Sequence, residues 1–194
     1  MTDKPWDQQL AAWLVRPIVR TGMTPNMMTT IGLGFGLGAA LLFALGERGW
    51  AGLLFMLAMF WDHTDGELAR QTGKTSRFGH HYDHVVAFLN YFLAFLGIGI
   101  GYTKNGADWT VMAGTLAGLA IAGIFALRSL GELRVGKTFT AQPMIWGFEI
   151  EDLMYLVGPI AWLGWLHEFL FLAAIGAPLY LIWTGAALFR CKRA

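Results

Sequence analysis

GWAGLLFMLAMFWDHTDGELARQTGKTSRFGHHYDHVVAFLNYFLAFLGIGIGYT, residues Gly49–Thr103, decides how this chain folds. It opens on an apolar run, Gly49 to Trp61, too short to cross a bilayer unless its helix continues through Asp62 and Asp65. A polar stretch follows, and then Val85 to Thr103 runs uncharged for the length of a spanning helix, which needs about 20 residues for a core of about 30 Å. The pattern predicts two helices joined by one short loop, with their acids at the same end. Asp62 and Asp65, three apart, share a helix face, and Asp83 begins the next helix.

Similar runs flank this pair. Met27–Gly46, Trp109–Leu127 and Phe169–Phe189 are each apolar and of spanning length, and Leu153–Leu166 is a shorter one preceded by Glu149, Glu151 and Asp152. The expectation is an all-α polytopic membrane protein of six transmembrane helices, filling residues 23–194. An amphipathic juxtamembrane segment, residues 1–22, precedes them. There Trp6, Leu10, Trp13 and Leu14 recur at helical spacing, with Asp7, Gln8 and Arg20 off that face.

Composition agrees. Of 194 residues, 56% are apolar and 14% charged, well under the roughly 25% charged of soluble domains. The excess apolar surface needs lipid. Twelve of the 14 Lys and Arg residues fall in the N-terminal segment, the loops after the second and fourth helices, and the tail. Basic residues mark the cytoplasmic side, so both termini and the acids are expected there, in a bacterial inner membrane. No cleavable signal peptide is expected, since the first residues carry Asp3, Lys4 and Asp7. A net charge of +1 gives no basis for a nucleic-acid partner, and none is expected. Small-xxx-small pairs at Gly32/Gly36, Gly34/Gly38, Gly97/Gly101 and Gly114/Gly118 point to close helix packing, with a homodimer face as the alternative.

The acids carry the chemistry. A carboxylate within an apolar helix costs on the order of 3 kcal/mol unless it is paired or faces a polar cavity. Three such groups in one region call for a cation, and hard oxygen ligands suit Mg²⁺ or Mn²⁺. Clustered at one interface rather than the midplane, they argue against a transport path. Gly66, Ala69 and Gly79 place small residues beside them, leaving a groove for a flat nucleotide whose phosphates Arg70 could meet.

This segment resembles the signature of the CDP-alcohol phosphatidyltransferases, D-x2-D-G-x2-A-R-x8-G-x3-D-x3-D. Asp62, Asp65, Gly66, Ala69, Arg70, Gly79 and Asp83 fall at the required spacing. The resemblance implies transfer of a phosphoalcohol group from a CDP-linked lipid or alcohol donor to an acceptor hydroxyl at a two-metal site, with release of CMP. It implies Asp62, Asp65 and Asp83 as metal ligands, and Gly66, Ala69 and Gly79 as the lining of the cytidine pocket.

One position departs. The last aspartate of the signature falls at 87, where this chain has Ala87. In the family that residue implies a ligand to the second metal and the general base. Three readings follow. The chain uses another base, His84 being nearest, or relies on metal activation of the acceptor. The alanine is an inactivating substitution. Or the protein binds a CDP-lipid in the membrane without turning it over. Arg128, Arg134 and Lys137 could meet a phosphorylated acceptor, but Glu149, Glu151 and Asp152 would oppose one, which favours a neutral or cationic hydroxyl.

Overall fold

The computed structural model describes residues 6–103, 106–135 and 150–191. Seven α-helices are found among them: α1 (Trp6–Ile18), α2 (Pro25–Leu45), α3 (Arg48–Thr72), α4 (Arg77–Thr103), α5 (Trp109–Val135), α6 (Val157–Leu163) and α7 (Leu166–Cys191). A 3-10 turn, Val19–Thr21, follows α1, and a 3-10 segment, Ile150–Leu156, leads into α6.

Local chemistry sets the boundaries nearest the acids. The Thr24 hydroxyl accepts the Met27 N–H at 3.3 Å, and Pro25, which has no N–H to satisfy, takes the first position of α2. Gly73, at φ +66°, ends α3 in the left-handed conformation that favours glycine. Four residues separate α3 from α4, and the Ser76 hydroxyl accepts the Gly79 N–H at 2.9 Å to open the new helix.

α2 is the central element. It packs along α3 on one side and α4 on the other, whereas α3 and α4 barely touch. α5 lies on α4, α7 on α5, and both α1 and α6 on α3. The main core gathers Phe43, Phe55, Tyr91, Phe95, Ile98 and Leu170; a smaller one joins Val15, Met28 and Leu68 where α1, α2 and α3 meet. Glycines bring the backbones together. A methyl at Gly97 or Gly101 would collide with the Ala40 or Phe43 carbonyl of α2, and one at Gly114 with the Phe95 carbonyl of α4. These small-residue stripes therefore serve packing within the chain, where dispersion at close range replaces a hydrophobic driving force.

Four helices are long and apolar enough to cross a membrane: α2, α4, α5 over Trp109–Gly131, and α7 over Leu166–Arg190. The chain is an integral membrane protein. Six crossings were expected. The two others fall on α3 and on the 3-10/α6 pair. α3 has the length, at 25 residues, but its second half carries Asp62, Asp65, Glu67 and Arg70. α6 has only seven residues, about 10 Å of helix.

α1 presents Trp6, Leu10, Trp13 and Leu14 outward and buries Ala11 and Val15 against the protein. Asp7, off that apolar face as the spacing suggests, is buried against the protein, being 1% exposed. The reason is His63 of α3, whose Nε2 lies 2.8 Å from Asp7 Oδ2, with the Tyr155 hydroxyl donating to the same oxygen at 3.3 Å.

Candidate active site

The short loop and the intervening α2 bring the ends of α3 and α4 around one pocket of about 260 Å³. α2 supplies Pro25, Asn26 and Thr29, and α3 supplies Asp65, Gly66, Ala69 and Arg70. Lys74, Thr75 and Ser76 come from the loop, and Gly79, His80 and Asp83 from α4. Six residues singled out by the sequence pattern, Asp65, Gly66, Ala69, Arg70, Gly79 and Asp83, thus share one wall-to-wall cavity.

Asp65 is 3% exposed and accepts a hydrogen bond from the Thr29 hydroxyl at 2.5 Å. That hydroxyl also lies 3.1 Å from the Pro25 carbonyl, but it has one proton, and the shorter contact takes it. Asp83 is half-buried. Its Oδ1 is shielded from solvent and has no hydrogen-bond partner among the described residues. Both carboxylates line the same pocket. Two acids on one cavity, one with an orphaned oxygen, are hard donors that suit a divalent cation.

Asp62, a turn earlier on α3, is half-buried and lies outside the lining of this pocket. No group of three His, Cys, Asp or Glu residues among those described closes around a common point. The pair brought together is Asp65 and Asp83.

The small residues have definite neighbours. A Cβ at Gly66 would sit 3.4 Å from Arg70 Nη1, so the guanidinium lies across bare backbone. A Cβ at Gly79 would come within 2.9 Å of Asn26 Oδ1 and 3.0 Å of Ser76 Oγ. Glycine at 79 is what lets Asn26 reach into the cavity. Arg70 is held in turn by Glu67, which no sequence pattern singled out.

His84 does not line the pocket. Its Nε2 is 3.0 Å from Ser129 Oγ on α5, and its ring packs on that of His80 at 4.2 Å. Helical geometry is the cause. One residue beyond Asp83 is a turn of about 100° away from the cavity, whereas His80, three residues before Asp83, shares its face. Ala87, one turn further on, is half-buried and outside the lining. His167 opens α7, half-buried against the rings of Tyr102 and Trp109. His63 contacts α1 through Asp7. Burial alone would raise the Asp7 carboxyl, but His63, the Gln8 N–H and Tyr155 outweigh it and hold the group below the usual carboxylate value. Lys137 and Glu149 lie outside the described residues, as do the side chains of Arg134, Glu151 and Asp152.

Known proteins resemble this arrangement. The chain is 29% identical over 163 residues to archaetidylinositol phosphate synthase of Pyrococcus horikoshii, covering 79% of this chain and 85% of that protein. It is 31% identical over 104 residues to phosphatidylinositol phosphate synthase of Streptomyces avermitilis, covering 53% and 43% respectively. Its fold matches that of Mycobacterium tuberculosis phosphatidylinositol phosphate synthase solved in complex with manganese and citrate, at a TM-score of 0.73 and 20% identity, covering 92% of this chain and 88% of that one. The same enzyme with CDP-DAG bound gives a TM-score of 0.71 at 19% identity, over 93% and 94%. The family profile of CDP-alcohol phosphatidyltransferase matches residues 22–188. The chain belongs to the CDP-alcohol phosphatidyltransferase family, the transferases of phospholipid synthesis.

Proposed function

We propose that the protein transfers a phosphoalcohol group from a CDP-linked lipid donor to an acceptor hydroxyl and releases CMP, at the cytoplasmic end of α3 and α4. The observation that carries this reading is the convergence of Asp65, Gly66, Ala69, Arg70, Gly79 and Asp83 on one cavity. Asp65 and Asp83, with Asp62 nearby on α3, would hold Mg²⁺ or Mn²⁺; relatives solved with manganese and with CDP-DAG support both the cation and the donor. A bound divalent ion neutralises a pyrophosphate and stabilises the leaving phosphate. The chain's own residues do the rest. Gly66, Ala69 and Gly79 leave room for a flat base against backbone, Arg70 offers guanidinium N–H groups to the phosphates, and Thr29 fixes the Asp65 carboxylate.

The acceptor's proton needs a destination. With alanine at 87 and His84 turned to Ser129, His80 is the histidine inside the cavity, and it is the candidate base. Two relatives are named for products carrying inositol phosphate, which supports a phosphorylated acceptor over a neutral or cationic one; Lys74 at the pocket is the matching cation.

A second reading, a membrane protein that binds CDP-lipid without turnover, is favoured by Ala87 alone. One set of measurements separates them. CDP-diacylglycerol should raise the melting temperature only with divalent metal, since a ligand of the folded state stabilises it by mass action. Asp65→Asn or chelation should remove the shift. CMP release on adding inositol phosphate distinguishes enzyme from binder. An equal shift with ATP and no metal would overturn both.

A further inference from the structure

Glu67 is a buried acid on α3 to which the proposed chemistry gives no task. It follows Asp65 by two residues on α3, is 5% exposed, and does not line the pocket. A carboxylate in that position must be partnered. Its Oε2 accepts from Arg70 Nε at 2.9 Å and lies 2.8 Å from Arg70 Nη2. Its Oε1 accepts from Gln71 Nε2 at 3.2 Å. The same Gln71 nitrogen donates to the main-chain carbonyl of Ala12 on α1 at 3.1 Å, and an amide nitrogen carries two protons, so both bonds form together. A continuous chain of contacts runs from α1 through Gln71 and Glu67 to the pocket wall.

The geometry also selects which donors remain. A guanidinium carries five N–H bonds, and Glu67 engages the Nε–Nη2 edge. Nη1 is left lying over Gly66 at the cavity. Arg70 is 53% exposed at its side chain, so without this clamp its long stem would sample many rotamers.

We propose that Glu67 is a positioning residue that sets Arg70 for the phosphates of a CDP-linked donor. Gln71 ties the pair to α1, so that docking of α1 on α3 and donor affinity are coupled. This rests on the reading of the cavity as a CDP-donor site.

The test uses the purified full chain in detergent with Mg²⁺ and CDP-diacylglycerol as probe. Donor Kd and melting temperature are measured for Arg70→Ala, Glu67→Gln, Gln71→Leu and the pairs with Arg70→Ala. Arg70→Ala should weaken binding by about tenfold or more, as loss of a charge-assisted contact to phosphate does. Glu67→Gln should weaken it about three- to tenfold, and Gln71→Leu less, by the loss of an orienting partner. In the Arg70→Ala background neither should weaken it further, because each acts through Arg70. Donor should slow hydrogen exchange in α1 of the natural chain, and this effect should vanish in Gln71→Leu, since coupling is reciprocal. Additive losses, or an unaltered Kd in Glu67→Gln, would overturn the positioning role. If Glu67→Gln does not fold, the Gln71→Leu cycle decides alone. Donor binding unaffected by Arg70→Ala overturns the proposal while leaving the donor site standing. A natural chain that does not bind CDP-diacylglycerol overturns the proposed function, and the positioning role with it.

Discussion

The Thr29 hydroxyl of α2 donates to Asp65 Oδ2 of α3 at 2.5 Å, so one helix aims the carboxylate that another helix carries. Thr29→Val keeps the shape and removes the donor. The expected result is a loss of about 1–3 kcal/mol in stability, from a buried acceptor left without its partner. The divalent concentration giving half the donor-induced rise in melting temperature should increase about tenfold, as when an outer partner of a metal ligand is lost. Thermal melts across a magnesium series measure both. Unchanged magnesium demand would mean that Asp65 needs no such aiming.

Position 87 separates chemistry from binding. General-base assistance contributes about 10²–10⁴ in rate, so Ala87→Asp should raise CMP release by at least about tenfold. His80→Ala in the natural chain should remove most of whatever release is present, while His84→Ala, on the α5 side, should leave most of it. A strong effect of His84→Ala with none from His80→Ala would reverse that assignment. Rapid release indifferent to all three would leave the acceptor without a protein base.

The glycine contacts on α4 predict a contrast within one pair of variants. Gly101→Ala drives a methyl into the Phe43 carbonyl and should destabilise by about 1–3 kcal/mol through overpacking. Gly34→Ala meets open space and should be neutral or stabilising, by up to about 1 kcal/mol from helix propensity. Equal melting temperatures for the two would contradict the close approach of α2 and α4.

The buried Asp7 gives a dependence on acidity. Its carboxyl is held below the ordinary value of 3.8, so its contribution is present above that value and fades as pH falls through the lowered one. Asp7→Asn should therefore be less stable than the natural chain at neutral pH, by about 1–3 kcal/mol for a broken buried hydrogen-bonded pair. The gap should close below about pH 4. A constant gap across that range would show that Asp7 is held by shape alone.

Much of the site was legible because its parts lie within one short segment. Gly66, Ala69, Arg70, Gly79 and Asp83 follow Asp65 at fixed intervals on two helices and a loop, so their spacing fixed their convergence. The apolar run from Met27 marks the body of α2, but not that Asn26 and Thr29 near its start form a wall of the cavity. What stayed hidden depends on partners distant in sequence. Asp7 reads as a solvated acid until His63 is beside it, and Glu67 as an exposed one until Arg70 and Gln71 close over it. His84 was misdirected by counting from position 87, when the direction of Ser129 on α5 decides where it points. Of the six crossings expected, four are legible as long apolar helices among the described residues. Hydropathy sees a span only in uncharged helix, and α3 gives its last turns to the site.

Because α2 packs against both α3 and α4, the ends that carry Asp65 and Asp83 are held by a third helix as well as by the loop that joins them. Three of the four loop residues, Lys74, Thr75 and Ser76, line the rim of the pocket, while Gly73 ends α3 and Ser76 caps α4. Under the proposed function, exchanges at Lys74 and Thr75 alter which acceptor is taken and leave Asp65 and Asp83 on their helices.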